Sequence, residues 1–289
     1  MGPATASLVP DATPVPRPPL HRRLGAGLRV LPDFLLLGAQ KAGTTDLDSR
    51  LSKHPRILPR FTKECRVLAG PRPTASKCRS FQELRRRRAT AEREQGGRCR
   101  AGDACPYYLH HPRAPEAARR LLGPDLDFIV LLRDPVARAW SHHRHERRLG
   151  LEPLDFEAAI AAEPDRLAGE ERRLRDDPDA TSGPHEHYSY LDRGRYAVQL
   201  ARWFEAFDRD RFLIIFSENY FDDPGAAVAD VHRHLGLPAI EAGPGGAPRN
   251  RGDGSKPPPD VAARLRDHFA EDDERLAELL ERRPPWLRS

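Results

Sequence analysis

The sequence contains no long apolar run. In its 289 residues, every apolar run is much shorter than the roughly 18 consecutive apolar residues needed to span a bilayer. The N-terminus, MGPATASLVPDATPVPRPPL, also lacks the continuous apolar segment of a secretory signal. We therefore expect a soluble, cytoplasmic protein without a transmembrane segment.

Cysteine is scarce as well. The chain has four, Cys65, Cys78, Cys99 and Cys105. They show neither paired CxxC spacing nor accompanying histidines at the intervals of a zinc finger. This pattern predicts reduced, buried or incidental thiols, and we expect no metal in the functional site.

Lysine is the least used charged residue, occurring only at positions 41, 53, 63, 77 and 256. Lys and Arg together number 48 against 43 Asp and Glu, a net charge of +5. This mild excess does not predict a nucleic-acid partner, but it suits an anionic ligand. A lysine retained at Lys41, Lys63 or Lys256 is more informative than any single arginine.

Short apolar runs alternate with helical patterns along the chain. The runs cover residues 34–37, 128–132 and 212–216. Their length is typical of strands buried on both faces of a parallel sheet, and each precedes a segment with helical character. The alternation predicts one α/β domain, a P-loop-like three-layer fold with a central parallel sheet flanked by helices.

The two ends of the chain differ from this pattern. Residues 1–31 are rich in Pro and Ala without helical or strand periodicity, and we interpret them as a flexible arm. The domain is expected to cover residues 32–289. Its last part, residues 260–282, has apolar residues at helical spacing after three prolines that suit a helix start.

Residues 38–45, GAQKAGTT, connect the first apolar run to the first helix. Backbone N–H groups of such a turn and the helix N-terminus can converge on an anion. The glycine spacing resembles a Walker A loop, but Thr44 stands where the nucleotide-binding lysine belongs, and Lys41 carries the charge instead. A tight strand-to-helix turn with a threonine cap is the simpler interpretation of the loop alone.

The second apolar run separates two functional interpretations of this loop. An ATP- and magnesium-dependent P-loop phosphotransferase needs an aspartate at the end of such a strand to hold the metal. Here Arg133 comes first and Asp134 follows. A cation at this position favours a second phosphate over a metal, and the phosphotransferase stays as the alternative.

Three further segments complete the pattern. In LLRDPVARAWSHH, Arg133 is followed eight residues later by Ser141. The segments GDACPYY at 102–108 and YLDRGRY at 190–196 occur on either side of it. Together with the loop, these features resemble the sulfotransferases that use 3′-phosphoadenosine 5′-phosphosulfate (PAPS), especially the heparan sulfate sulfotransferases and their bacterial relatives.

The resemblance implies a donor site for PAPS. The first loop would hold the 5′-phosphosulfate through Lys41, Ala42, Gly43, Thr44 and Thr45, with Ala42 contributing only its backbone. Arg133 and Ser141 would grip the 3′-phosphate, for which a guanidinium fork and a hydroxyl are suitable donors. A loop at residues 249–256 would cover the nucleotide through Arg251, Gly252 and Lys256. Animal glycan enzymes pin that loop with a disulfide, whereas no cysteine follows Cys105 here.

The resemblance also implies the catalytic groups. FTKEC, residues 61–65, is similar to the family's KE element, whose glutamate is the general base and whose lysine lies near the sulfate. We therefore expect Glu64, Lys63 and Lys41 to be catalytic. The expected reaction moves the sulfuryl group of PAPS to a hydroxyl or amine without a metal. The acceptor is a small molecule or glycan, carbohydrate-like first and a lipid or natural product next.

Two alternatives concern catalysis itself. Cytosolic small-molecule sulfotransferases use a histidine base, and the candidates here are His54, His110, His111, His142, His143, His185 and His187. A non-catalytic nucleotide-binding module is the other alternative. The presence of Lys41, Glu64, Arg133 and Ser141 together argues against it.

Overall fold

The structure is a computed structural model that describes residues 10–240 and 255–288. Five parallel strands form the centre of these residues. They are β1 (Phe34–Gly38), β2 (Ile57–Leu58), β3 (Arg100–Ala104), β4 (Asp127–Leu132) and β5 (Phe212–Phe216). Their order in the sheet is β2-β3-β1-β4-β5, and every neighbouring pair is parallel. The predicted α/β fold with a central parallel sheet is confirmed.

Helices surround this sheet. In the described residues they are α1 (Leu20–Leu24), α2 (Thr44–Leu51), α3 (Ala75–Ser80), α4 (Arg85–Glu94), α5 (Tyr107–His110), α6 (Ala114–Leu122), α7 (Pro135–Arg148), α8 (Phe156–Leu167), α9 (Glu170–Asp176), α10 (Gly183–His187), α11 (Tyr196–Ala206), α12 (Ser217–Asp222), α13 (Pro224–His234) and α14 (Pro259–Leu280). Short 3₁₀ turns cover Ala26–Leu28, Val67–Ala69, Asp192–Gly194, Arg209–Arg211 and Pro285–Arg288. None of these helices combines the length and the apolarity needed to cross a membrane.

The strand order determines where a ligand site can form. The chain leaves β1 toward β3 and β2 on one side, whereas β4 and β5 lie on the other. Ligands of open α/β sheets bind outside the carboxyl ends of the strands at such a reversal. The loop after β1 and the turn after β4 therefore meet at the position that the fold favours for binding.

Strand β3 was not predicted, because its sequence, RAGDA, has no apolar run. All five residues are nevertheless buried. Arg100 pairs with Asp127 of β4, and the carboxylate of Asp103 accepts hydrogen bonds at 2.9 Å from the Tyr108 hydroxyl and the Cys65 thiol. Burial raises the pKa of Asp103. Partners from other segments, Cys65 and Asp127, therefore offset part of the cost of bringing these polar groups into the core.

Gly102 is the position in β3 where the packing is tightest. A Cβ atom there would lie 2.2 Å from Cζ of Phe34, so the glycine makes room for that ring. We expect Gly102→Ala to lower the free energy of unfolding by about 1–3 kcal/mol through overpacking. Chemical denaturation measures this change. Gly27→Ala is the matched control, because a Cβ there meets no heavy atom within 4 Å.

Residues 10–31 touch the domain at several points. The backbone N–H of Thr13 donates to Glu186 Oε2 at 2.9 Å, and Arg22 donates to the Gln82 carbonyl at 2.8 Å. Between this segment and the domain lies a cavity of about 950 Å³ whose wall includes Arg66 and Glu186. The domain boundary at residue 32 stays a prediction, while residues 20–28 form the short helix and turn given above.

Candidate active site

The loop after β1 passes through two left-handed residues before α2 begins. Lys41 has φ 70° and Gly43 has φ 100°, and Gly43 is the N-cap of α2. A Cβ atom at Gly43 would lie 2.9 Å from Cζ of Phe221, so both backbone conformation and space favour glycine. The Asp46 N–H donates to the Gly43 carbonyl at 3.0 Å, whereas the N–H groups of Thr44 and Thr45 make no hydrogen bond among the described residues. Such free N–H groups are what anion sites at helix N-termini use.

Lys41 is the cation of this loop. Burial, followed by the positive charge of Arg148, lowers the pKa of Lys41 to about 8, and Arg133 acts in the same direction. The carboxylates of Glu146 and Glu64 oppose this effect. An anion bound beside Lys41 would favour its protonated form, because an opposite charge stabilises the ammonium group.

Arg133, at the end of β4, contacts this loop directly. Its Nη1 donates to the Lys41 carbonyl at 2.9 Å, and its own carbonyl accepts from the Tyr196 hydroxyl at 2.8 Å. Asp134 caps α7, since its carboxylate accepts from the N–H of Val136 at 2.9 Å. The aspartate that a magnesium-dependent P-loop enzyme would need therefore serves as a helix cap here.

Arg193, in the YLDRGRY segment, braces the same region. Its guanidinium donates to Gln40 Oε1 in the loop, to Ser189 Oγ at 2.9 Å and to the Glu186 carbonyl at 2.7 Å. Tyr196 of the same segment holds the arginine turn after β4. The segment therefore connects both elements that the sequence assigns to the nucleotide.

Lys63 and Glu64 reach the loop from the segment after β2. Lys63 Nζ donates to Thr45 Oγ1 at 2.7 Å and lies 3.3 Å from Glu64 Oε1. Glu64 has φ 57°, and its N–H donates to the Ala104 carbonyl at 2.9 Å, at the carboxyl end of β3. Its side chain is 39% exposed, so an acceptor can approach the carboxylate from solvent. The structure thus places both residues beside the first loop.

Two other predicted donor-site residues differ in their surroundings. Ser141 is half-buried on α7, the helix that follows Arg133. Ala42 is buried, its N–H donates to the Ala39 carbonyl at 3.2 Å, and its carbonyl accepts from Ser217 Oγ at 2.7 Å. Because both backbone groups of Ala42 have protein partners, its predicted contact with the nucleotide stays a prediction.

The C-terminal loop approaches α7 at one described point. Trp140 Nε1 donates to the Ser255 carbonyl at 3.0 Å, next to Ser141. Lys256 follows and is exposed. Arg251 and Gly252 lie outside the described residues. The end of the loop is therefore adjacent to the helix that carries the predicted 3′-phosphate serine.

The seven histidines considered as alternative bases differ in what their ring nitrogens contact. Burial lowers the pKa of His110, His142 and His185 well below the ordinary value, which makes them neutral core groups. Three other histidines have a ring nitrogen hydrogen-bonded to a backbone group; they are His54, His111 and His143. The seventh, His187, contacts the Glu146 carboxylate at 3.0 Å, and its side chain is 9% exposed.

One group of possible metal ligands occurs among the described residues. Ligand atoms of His110, His185 and Asp192 lie within 4.8 Å of one another. The two imidazoles are stacked, with centroids 4.1 Å apart and planes 13° apart, so their lone pairs lie in separate, nearly parallel planes. Burial and then neighbouring positive groups, including Arg193 and Arg202, lower the pKa of His110. This packing and charge disfavour a cation.

A sequence profile of the sulfotransferase domain matches residues 31–243, most of the chain. The chain belongs to the sulfotransferase domain family. The matched range contains the first loop, the segment with Lys63 and Glu64, and the strand and helix with Arg133 and Ser141. These sulfotransferase elements are the ones that the fold brings together at the carboxyl edge of the sheet.

Individual sulfotransferases confirm the predicted branch. Mouse heparan sulfate glucosamine 3-O-sulfotransferase 6 is 26% identical over 249 residues, which cover 81% of this chain and 64% of that protein. Mouse bifunctional heparan sulfate N-deacetylase/N-sulfotransferase 4 is 27% identical over 230 residues, covering 72% of this chain and 22% of that protein. A solved sulfotransferase from Alicyclobacillus acidocaldarius matches with a TM-score of 0.66 and 26% identity, over 90% of this chain and all of that one. The chain spans less than two thirds of the length of these two curated relatives.

Sequence reasoning missed several residues of this candidate site. Gln40 and Ser217 hold the loop, and Glu146 contacts His187. Arg193 and Tyr196 lie in a segment whose family likeness was visible, so that likeness was the available signal for them. Gln40 lies in the loop itself, whereas Ser217 and Glu146 carry no comparable signal in the sequence.

Proposed function

We propose that this protein transfers the sulfuryl group of PAPS to an acceptor hydroxyl or amine. The observation that carries the proposal is the hydrogen bond of 2.9 Å between Arg133 Nη1 and the Lys41 carbonyl. It joins the loop proposed for the 5′-phosphosulfate to the arginine proposed for the 3′-phosphate. One nucleotide with phosphates on both ribose positions would engage both elements together.

The residues present suit such a donor. Lys41 and the first turn of α2 offer positive charge and N–H groups to the phosphosulfate, while Arg133 offers a planar fork to a phosphate. Lys63, held by Thr45 Oγ1 at 2.7 Å, is placed to neutralise charge on the sulfuryl oxygens. No step in this arrangement requires a metal.

The proposed chemistry is an in-line displacement at sulfur. Glu64 takes the proton of the acceptor hydroxyl as the new oxygen–sulfur bond forms. The bond between sulfur and the bridging phosphate oxygen breaks, and its electron pair leaves with adenosine 3′,5′-bisphosphate. Lys41 stabilises the negative charge that develops on that leaving phosphate.

We propose a carbohydrate-like acceptor before a lipid or natural-product hydroxyl. The relatives above are named as heparan sulfate enzymes, and this supports a glycan acceptor. The direct test is incubation with labelled PAPS and a panel of sugars, amines, phenols and lipid alcohols, followed by mass spectrometry. Transfer of sulfate to a member of the panel supports the proposal. Nucleotide-dependent phosphate transfer from ATP would instead support the phosphotransferase alternative.

Arg133→Ala is expected to weaken binding of adenosine 3′,5′-bisphosphate by about 10- to 100-fold, the scale of one lost charge-assisted hydrogen bond. Binding of adenosine 5′-phosphosulfate, which lacks the 3′-phosphate, should change less. Calorimetric titration of both nucleotides measures the difference. Arg147→Ala on the exposed face of α7 is the control. Equal losses for both nucleotides would mean that Arg133 supports the loop without touching the 3′-phosphate.

Nucleotide affinity is expected to fall as the pH rises through about 8. The pKa of Lys41 lies there, and an anion binds the protonated lysine better than the neutral one. Binding should therefore take up protons above that pH and be insensitive below it. Titrations with adenosine 3′,5′-bisphosphate between about pH 7 and 9.5 test this, with Lys41→Arg as the matched variant because arginine stays charged. The same pH dependence in both proteins would assign it to another group.

A further inference from the structure

Glu146 is a buried carboxylate that the proposed transfer reaction does not use. Its side chain is 2% exposed, its Oε2 lies 3.0 Å from His187 Nδ1, and its Oε1 lies 3.3 Å from His142 Nε2. Burial by itself would raise the pKa of Glu146, but its interactions with the two histidines outweigh it and lower that pKa far below the ordinary value. Glu146 is therefore an ionised acceptor, and the His187 Nδ1–H donates to it.

The His187 ring is linked to the proposed catalytic groups through Glu146. Glu146 is on α7, and its charge acts on both Lys41 and Arg193. Arg193 in turn donates to Gln40 of the first loop and to the carbonyl of Glu186, the residue before His187. The segment that carries the imidazole is thus held against the loop that contains Lys41.

The second ring nitrogen of His187 has a different environment. Its Nε2 lies 3.9 Å from Glu186 Oε1, which is too long for a hydrogen bond. Glu186 is already engaged, with Oε1 paired to Arg66 and Oε2 accepting from the N–H of Thr13. Within residues 10–240 and 255–288, Nε2 makes no hydrogen bond. With Nδ1–H fixed by Glu146, Nε2 presents a lone pair.

We propose that His187 Nε2 accepts a hydrogen bond from the acceptor substrate, with Glu146 as the positioning residue that fixes the ring and its tautomer. This inference depends on the proposed function, in which Glu64 takes the proton of the reacting hydroxyl. One hydroxyl has a single hydrogen, so it cannot donate to both Glu64 and His187. The group bound to His187 is therefore a second O–H or N–H beside the reacting one, as in a sugar diol or amino alcohol.

Two isosteric replacements separate acceptor binding from a structural role. Asparagine places its amide near the position of Nδ1, so His187→Asn keeps a donor for Glu146 and loses Nε2. Glutamine places its amide near the position of Nε2, so His187→Gln keeps a polar group for the acceptor and loses the contact with Glu146. If His187 binds the acceptor, the asparagine variant should lose affinity for the acceptor and the glutamine variant should retain it. A purely structural role predicts the reverse.

The experiment measures sulfate transfer from PAPS to p-nitrophenyl glycosides, to their monodeoxy analogues and to p-nitrobenzyl alcohol. For the wild type we expect transfer to a glycoside, weaker transfer to an analogue lacking the neighbouring hydroxyl, and the weakest transfer to the simple alcohol. His187→Asn should raise KM for the glycoside about tenfold with a smaller change in kcat, the scale of one hydrogen bond to substrate. Glu146→Gln should shift KM in the same direction.

Donor binding keeps the two proposals distinguishable. Titration with adenosine 3′,5′-bisphosphate should give the same affinity for His187→Asn as for the wild type, and failure of the wild type to bind it would count against the proposed function itself. His234→Asn is the control, because the hydrogen bond of that ring within the described residues is with the Arg211 carbonyl at 3.1 Å, at the amino end of β5. With donor binding intact, the proposal for His187 is overturned by unchanged KM in His187→Asn. It is also overturned if only His187→Gln loses transfer to the glycoside, or if p-nitrobenzyl alcohol is sulfated as well as the glycoside. Transfer to none of the glycosides would overturn it too.

Discussion

Replacing Glu64 with glutamine is expected to lower kcat by roughly 10²–10⁴ while leaving nucleotide affinity unchanged. Glutamine keeps the shape of the side chain but cannot take the acceptor's proton. The contacts that position this residue, the backbone bond to Ala104 and the approach of Lys63, do not depend on the negative charge alone. Steady-state transfer from PAPS and titration with adenosine 3′,5′-bisphosphate measure the two quantities separately.

The control for this variant is Glu116→Gln, which removes an exposed carboxylate from α6. It should transfer sulfate at the wild-type rate. Near-normal turnover by Glu64→Gln would assign the base elsewhere. His187 would then be the first histidine to examine, because Arg193 links the residue before it to Gln40 of the first loop.

Lys41→Met is expected to reduce kcat by about 10²–10³, the loss typical of removing one preorganised group that stabilises charge in the transition state. Methionine preserves much of the volume of the half-buried side chain and removes only the ammonium group. The effect should exceed that on nucleotide binding, because the leaving phosphate gains charge during the reaction. Single-turnover transfer from PAPS measures the chemical step directly.

The matched control is Lys53→Met, an exposed lysine just after α2. Its rate should equal that of the wild type. Lys41→Met could instead lose affinity for adenosine 3′,5′-bisphosphate while its transfer rate at saturating PAPS stayed at the wild-type value. Lys41 would then bind the ground state and the transition state equally. Stabilisation of the leaving group would then need a different residue, and Lys63, which donates to Thr45 Oγ1, is the first candidate.

The parts of the fold with strong local signals were predictable. β1, β4 and β5 coincide with apolar runs, because strands buried on both faces need continuous apolar sequence. β3 lacks that signal, since Arg100 and Asp103 are polar and their partners include Asp127 and Cys65 in other segments. A buried polar strand depends on partners that are distant in sequence, and no local pattern records them.

The candidate site likewise combines residues that have a local sequence signal with contacts that have none. Lys41, Glu64 and Arg133 could be proposed because each belongs to a short segment with a recognisable composition, and the fold places all three segments at one edge of the sheet. The contacts that connect them were not visible, since the bond from Arg133 to the Lys41 carbonyl joins residues 92 positions apart. The proposed acceptor side, with His187 and Glu146, depends on contacts of this long-range kind.

Binding of adenosine 3′,5′-bisphosphate in the presence of a metal chelator tests the central claim most directly. The proposed site predicts tight binding without magnesium, at least about tenfold stronger than binding of ADP, because Arg133 and Lys41 would hold the two ends of the bisphosphate. Binding of ADP or ATP that requires magnesium, together with indifference to the 3′-phosphate, would contradict the account and favour a phosphotransferase.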